Sequence, residues 1–166
     1  MAKIFNNIQK TMFEMKAALL NNENIRKLLV YDQKNALNQQ APSIDDASEH
    51  ITFFPISEMG IKNYTQNTLI NISCRLLDND TETDQGSIYV GFILTIISTK
   101  QVWELENYKL RLIELGAEIQ ETLNNRKFSL PIALVVLQLE DVVFDADRAG
   151  YIIKIDSEDL QKEVSL

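Results

Sequence analysis

Apolar residues at the start of the chain, Ile4, Ile8, Met12, Met15 and Leu19, recur at spacings of four, four, three and four with Asn, Lys and Glu between them. That is the stripe of an amphipathic helix, and it predicts one over 3–20. Asn21 and Asn22 can end it, and Asn22 or Asn24 can cap a second short helix that carries Ile25, Leu28 and Leu29 and stops near Tyr31. From Asp32 to Glu49 no period can be followed, so the stretch predicts a loop. HITFFPI at 50–56 has the look of a short strand. Pro55 lacks the N–H a ladder needs, which makes it an edge strand or part of an extended arm over 32–66.

The period then changes to two. Ile70, Ile72, Cys74 and Leu76 alternate with Asn71, Ser73 and Arg75, which predicts a half-buried strand. A turn-rich tip, DNDTETDQG, leads into a run from Ile88 to Ser98 that should pair with it as an antiparallel hairpin. That run is apolar on both faces, with Ile88, Val90, Phe92, Leu94 and Ile96 on one and Tyr89, Ile93 and Ile97 on the other. A strand of this kind is expected at the centre of a sheet and covered twice, by a helix and by another subunit. From Trp103, the residues Leu105, Tyr108, Leu112, Leu115, Ile119 and Leu123 predict a helix over 102–124, with Arg111, Glu114, Glu118 and Glu121 solvated on its flanks. Val135, Leu137 and Leu139 alternate with Val136, Gln138 and Glu140, and a turn at ADRAG leads into Tyr151–Ile155, which predicts a second antiparallel pair, while SEDLQKEVSL closes the chain as a polar tail. The sum is an α+β fold of one domain over 1–166, with a mixed, mainly antiparallel sheet of about four to five strands, an N-terminal helix and one long helix packed on it.

Composition narrows what such a fold can do. The 166 residues hold 16 Lys and Arg against 24 Asp and Glu, a net charge of -8, so the average field repels phosphate backbones and disfavours specific nucleic-acid binding. A single cysteine, Cys74, excludes an internal disulfide and a CxxC site, and suits a protein made in a reducing cytoplasm. MAKIFNNIQKTMF lacks the continuous apolar run and small-residue cleavage site of a signal peptide, so none is expected there, and the longest apolar run, Ile88–Ile97, falls far short of the ~20 residues of a membrane span.

Candidate chemistry is sparse. Asp78, Asp80, Glu82 and Asp84 imitate the first half of a calcium loop, but Thr83 stands where the turn needs Gly and Tyr89 where a bidentate Glu belongs. A solvated hairpin tip is the expectation. His50 is the one histidine, so neither a triad nor a His-based metal cluster can be built within the chain. Cys74 sits at an inward strand position, as a small buried hydrophobe does. No catalytic residue, cofactor site or metal site is expected. Trp103, at the strand-to-helix junction, is either core or an interface anchor.

Three stretches carry a resemblance: NENIRKLLVYDQKNALNQQAP at 22–42, FILTIISTKQVWELENYKLRLIELGAEIQETL at 92–123, with Trp103, Glu104 and Arg111, and AGYIIKID at 149–156. Together, and in their order, they resemble the tail-terminator and neck proteins of tailed bacteriophages. The resemblance implies a structural virion protein assembled in the host bacterial cytoplasm, without enzymatic activity. It implies a homo-oligomeric, sixfold ring at the head-proximal end of the tail, bound to the tail tube protein and a head-completion or connector protein. DNA would pass through its channel without specific binding, and no membrane would be involved. Tyr89, Ile93, Ile97 and Trp103 are then the expected subunit-interface residues. A head-completion adaptor of the same neck and a non-viral acidic protein-binding module are the alternatives.

Overall fold

A computed structural model describes residues 2–53, 65–78, 88–124, 126–130, 134–143 and 146–157. The elements are α1 (Ala2–Asn21), α2 (Glu23–Val30), α3 (Ile44–Ser48), β1 (Ile51–Thr52), β2 (Thr68–Asp78), β3 (Ile88–Thr99), α4 (Arg111–Leu123), β4 (Leu134–Val143) and β5 (Arg148–Ser157). The strands form one five-stranded sheet in the order β1-β2-β3-β5-β4. β1 runs parallel to β2, and every other pairing is antiparallel. The α+β class, the mixed sheet and the central place of β3 are as the periodicities predict.

One face of the sheet makes the core. Ile70 and Ile72 of β2, Val90, Phe92, Leu94 and Ile96 of β3, and Ile153 and Ile155 of β5 are buried together with Met15 and Leu19 of α1, Leu28 and Leu29 of α2, and Leu115 and Ile119 of α4. Side chains alternate across a strand, so Leu69, Ile93, Thr95 and Ile97 point to the opposite face. Gly150 sits opposite Ile97, where an added Cβ would lie 1.7 Å from the Ile96 carbonyl oxygen. Only glycine lets β5 approach β3 this closely.

Asn22 organises the helical layer. Its side-chain oxygen accepts from the backbone N–H groups of Asn24 and Ile25 at 2.9 and 3.2 Å, capping α2. Its amide nitrogen donates to Glu118 Oε2 and Thr122 Oγ1 at 2.8 and 3.0 Å, and Asn24 donates to Glu118 Oε1 at 2.8 Å. Glu118 is therefore a tether between α2 and α4 and not the solvated flank its position suggests.

Two further expectations are revised. The 32–66 stretch, read as an extended loop or arm, folds back onto its own subunit over its described part up to Phe53. It contains a 3-10 turn at Ala36–Asn38, α3 and β1. Side chains from α1, α2 and Tyr31 satisfy its carbonyls: Lys16 reaches Ser48 and Ile51, Arg26 reaches Pro42, Lys27 reaches Leu37, and Tyr31 reaches Gln40. Ala36 and Ala47 are fully buried beneath it. The rest of HITFFPI, Pro55 included, lies outside the described residues, as does the tail after Ser157.

The second revision concerns the long helix. After β3 the chain makes a 3-10 turn at Lys100–Val102 and a small hairpin, and α4 begins only at Arg111. Leu105 and Tyr108 continue the apolar spacing of α4 without belonging to it.

Candidate interaction surface

The hairpin between Trp103 and Arg111 closes with a bridge between Glu104 and Leu110. Leu105 N–H donates to Lys109 O at 3.0 Å, and Lys109 N–H to Glu106 O at 3.4 Å. Asn107 and Tyr108 at its tip have φ of 62° and 61°, the geometry of a type I′ turn. Asn tolerates that left-handed backbone, whereas a bulky residue there is an outlier that costs on the order of 1 kcal/mol. Tyr108 nevertheless occupies it, with its ring wholly in solvent. The loop after α2 and its 3-10 turn brace the hairpin: Glu106 N–H donates to Lys34 O at 2.9 Å, Asn38 donates to the Glu106 carboxylate at 2.9 Å, and Lys34 pairs with Glu104 at 2.6 Å.

Arg111 fixes the base of the hairpin. It is fully buried, where the helical stripe placed it on a solvated flank. Its Nε donates to Val102 O at 2.6 Å, Nη1 to Leu28 O at 2.6 Å and Nη2 to Gln33 O at 3.2 Å. Leu28 lies in the last turn of α2, where the helix presents unpaired carbonyls and the negative end of its dipole. Burial lowers the guanidinium's pKa and the Asp32 carboxylate pulls it back up. Arginine stays charged through such shifts because its ordinary value is so high.

Beside this hairpin lies an apolar cleft of about 240 Å³ between the start of α4 and the ends of β4 and β5. Trp103, Leu110, Ile113, Val143 and Tyr151 line it, and Asp141 is the one ionisable lysine, arginine, histidine or carboxylate side chain among its walls. Leu110 is 46%, Ile113 48% and Val143 72% exposed, so the cleft opens onto a contiguous apolar surface with Tyr108 at its margin. A second, smaller apolar group lies on α1, where Phe13 is exposed and its ring packs tilted against that of Phe53, with centroids 4.9 Å apart.

Just past the other end of α4 the surface is basic. Arg126 and Lys127 are exposed, and the Arg126 guanidinium lies 5.8 Å from the Phe128 ring. The following residues are tied to α1: Ser129 donates to Glu14 through its N–H and its hydroxyl at 2.7 and 2.6 Å, and Leu130 N–H donates to Thr11 Oγ1 at 3.1 Å. The Ser129 hydroxyl holds the Glu14 carboxyl below its ordinary range.

Of the expected interface residues, Ile97 is only 2% exposed within the single chain and offers no surface to a partner. Ile93 and Trp103 are half-buried, and the Trp103 indole donates to Ser98 O at 3.2 Å. The side chain of Tyr89 lies outside the described residues, as does the acidic stretch after Asp78 in which the calcium-like spacing falls. His50 is structural, its Nδ1 donating to Thr68 O at 2.7 Å. Cys74 is half-buried, and burial pushes its thiol up, away from the reactive thiolate. Among the described residues no group of His, Cys, Asp and Glu is placed to hold a metal ion, and no helix is long and apolar enough to cross a membrane. The periodicity missed Leu110, Ile113 and Val143, although Leu110 and Ile113 are large apolar residues that fall off the core stripe, a signal of exposed apolar surface.

No curated protein and no solved structure matches the chain. The YomW family does, over residues 22–142, from the cap of α2 through the hairpin, Arg111 and most of the cleft to the penultimate residue of β4. The match covers well over half of the sequence, and the chain belongs to the YomW family.

Proposed function

We propose that this protein is a structural subunit of a phage virion, forming a ring at the head-proximal end of the tail that ends tail-tube growth and joins tail to head. The observation that carries the reading is the contiguous apolar surface of Leu110, Ile113 and Val143 beside a strained, fully exposed Tyr108. Apolar surface of this kind marks a protein–protein contact, and backbone strain held in place by its neighbours is characteristic of functional sites. Membership in a family of a Bacillus prophage region fits a phage origin.

The second face of β3 supports the ring less than its sequence pattern suggests, because Ile97 and its cross-strand partner Leu69 are closed off within the chain. The expected contacts shift to the cleft and the hairpin. Below the ring lies the tail tube protein, and above it a head-completion or connector protein. The acidic subunits leave DNA free to pass through the channel.

Negative-stain imaging and light scattering of the purified protein test the assembly, with rings of about six copies expected from the resemblance to tail terminators. Deleting the gene from its phage tests the role: the expected product is tails of unregulated length that do not join heads, restored by the gene in trans. Tails of normal length joined to heads in the deletion would overturn the proposal.

A further inference from the structure

We infer that the ring is held by a head-to-tail contact in which Arg126 and Lys127 of one subunit enter the Leu110–Ile113–Val143 cleft of the next, with Asp141 as their counter-charge. This rests on the proposed ring and names the surface that would build it.

Charge accounting points to this pair. Among the described cations, Lys10, Lys34, Lys109 and Lys154 have carboxylate partners. Lys16, Arg26, Lys27, Lys100 and Arg111 donate to backbone carbonyls, Arg148 is engaged, and Arg75 is exposed on β2 with no cation beside it. Arg126 touches only the Phe128 ring, and Lys127 next to it makes no side-chain bond, which leaves them as the one adjacent pair of exposed cations without an oxygen partner among the described residues. Asp141 is exposed and makes no ion pair among the described residues. Subunits of net charge -8 repel one another, so a contact between copies needs a local patch of opposite sign, and this is where the described surface has one.

The cleft suits such a guest. Lysine and arginine carry an apolar stem and a charged head, and Leu110, Ile113 and Val143 would cover the stem while Asp141 meets the head. The faces of Trp103 and Tyr151 add cation–π attraction. A volume of about 240 Å³ admits long side chains and not a folded element.

Placement supplies the polarity. The cleft is at the N-terminal end of α4 and the cations lie just past its C-terminal end, some 20 Å away along a helix of 13 residues. Two complementary patches at opposite ends of one element allow a heterologous contact, which closes into a ring when the rotation per subunit permits it, whereas an isologous pairing of the same patches would stop at a dimer.

The full-length protein tests this by light scattering and negative stain. Arg126→Glu with Lys127→Glu, and separately Asp141→Arg, should each raise the concentration needed for half-assembly by roughly tenfold or more, and combining them should restore rings. Because these side chains are exposed, circular dichroism and melting of the variants should match the parent. Trp103 is the only tryptophan and lines the cleft, so its emission should shift as the parent protein is diluted, and should not in the Arg126→Glu, Lys127→Glu variant. Rings that persist unchanged in both charge reversals, or that the combined swap fails to restore, overturn this contact and leave the ring standing. A parent protein that stays monomeric at every concentration and does not bind tails overturns both.

Discussion

Arg111 shows how far a single residue can depart from its sequence neighbourhood. The three-and-four spacing runs back without a break from Leu123 to Leu105, so a helix through Arg111 is the natural reading, with its side chain in water. The break that stops it is a type I′ turn built from Asn107 and Tyr108 without the glycine that usually advertises such turns, so nothing in the local composition announces it. Moving the helix start to Arg111 turns the guanidinium inward, onto carbonyls of α2, the 3-10 turn and the loop between α2 and α3. Arg111→Met keeps the bulk but removes the guanidinium bonds to Val102 O and Leu28 O, while Gln33 O keeps the Ala36 N–H at 3.2 Å. Each buried unsatisfied group costs ~1–3 kcal/mol, so a loss of about 3 kcal/mol is expected in urea unfolding, with no change in slope. Arg111→Lys, with a single point-like donor group, should recover only part of it. A variant as stable as the parent would show that water replaces the guanidinium without cost.

At the scale of elements, strands were easier to read than the segments between them. β2 declares itself by alternation and β3 by a run apolar on both faces, and their pairing as a hairpin follows from the turn-rich tip between them; that β5 joins β3 is set by the fold. α3 was hidden although its signal is present: Ser43 caps it by accepting from Asp46 N–H at 3.1 Å, but five residues carry no apolar stripe that periodicity could detect. The link between α1 and the segment leading to β4 was equally invisible, since it depends on Glu14 and Ser129, 115 positions apart. That link should be felt in acid. Hydrogen bonds from Ser129 stabilise the ionised Glu14 in the folded state only, so its folded pKa lies below the ordinary 4.5. The unfolded chain therefore binds the proton first as pH falls, and the stabilisation, fully present above about 4.5, is lost as pH drops through the folded value. Glu14→Gln should melt lower than the parent at neutral pH and lose less stability between pH 5 and pH 3, as followed by thermal melts across that range. Parallel pH profiles for the two proteins would show that the carboxylate contributes nothing in solution.

For the whole molecule, the distribution of charge matters more than its sum. The surface that the sequence could indicate as an interface, the second face of β3, is partly consumed inside the chain. The surface that replaces it was not legible, because it joins residues from the hairpin, α4 and the β4–β5 end whose proximity only the fold creates. Salt should separate the two electrostatic effects that act on the proposed assembly. Repulsion between whole acidic subunits acts over long distances and is screened within about 8 Å at physiological ionic strength, whereas a cation held in a partly enclosed cleft against Asp141 is screened much less. Raising salt from low to physiological levels should therefore strengthen assembly of the parent, measured as the sedimentation-derived fraction in rings, before still higher salt weakens it by reaching the Asp141 contact. The Asp141→Asn variant keeps the repulsion but lacks the contact, so its assembly should rise with salt and show no later decline. The same acidity bears on the channel of the proposed ring: duplex DNA should show no mobility shift with the assembled protein at physiological salt. Tight binding there would mean that a basic lining outweighs the net charge, and that DNA is gripped by the ring instead of passing through it.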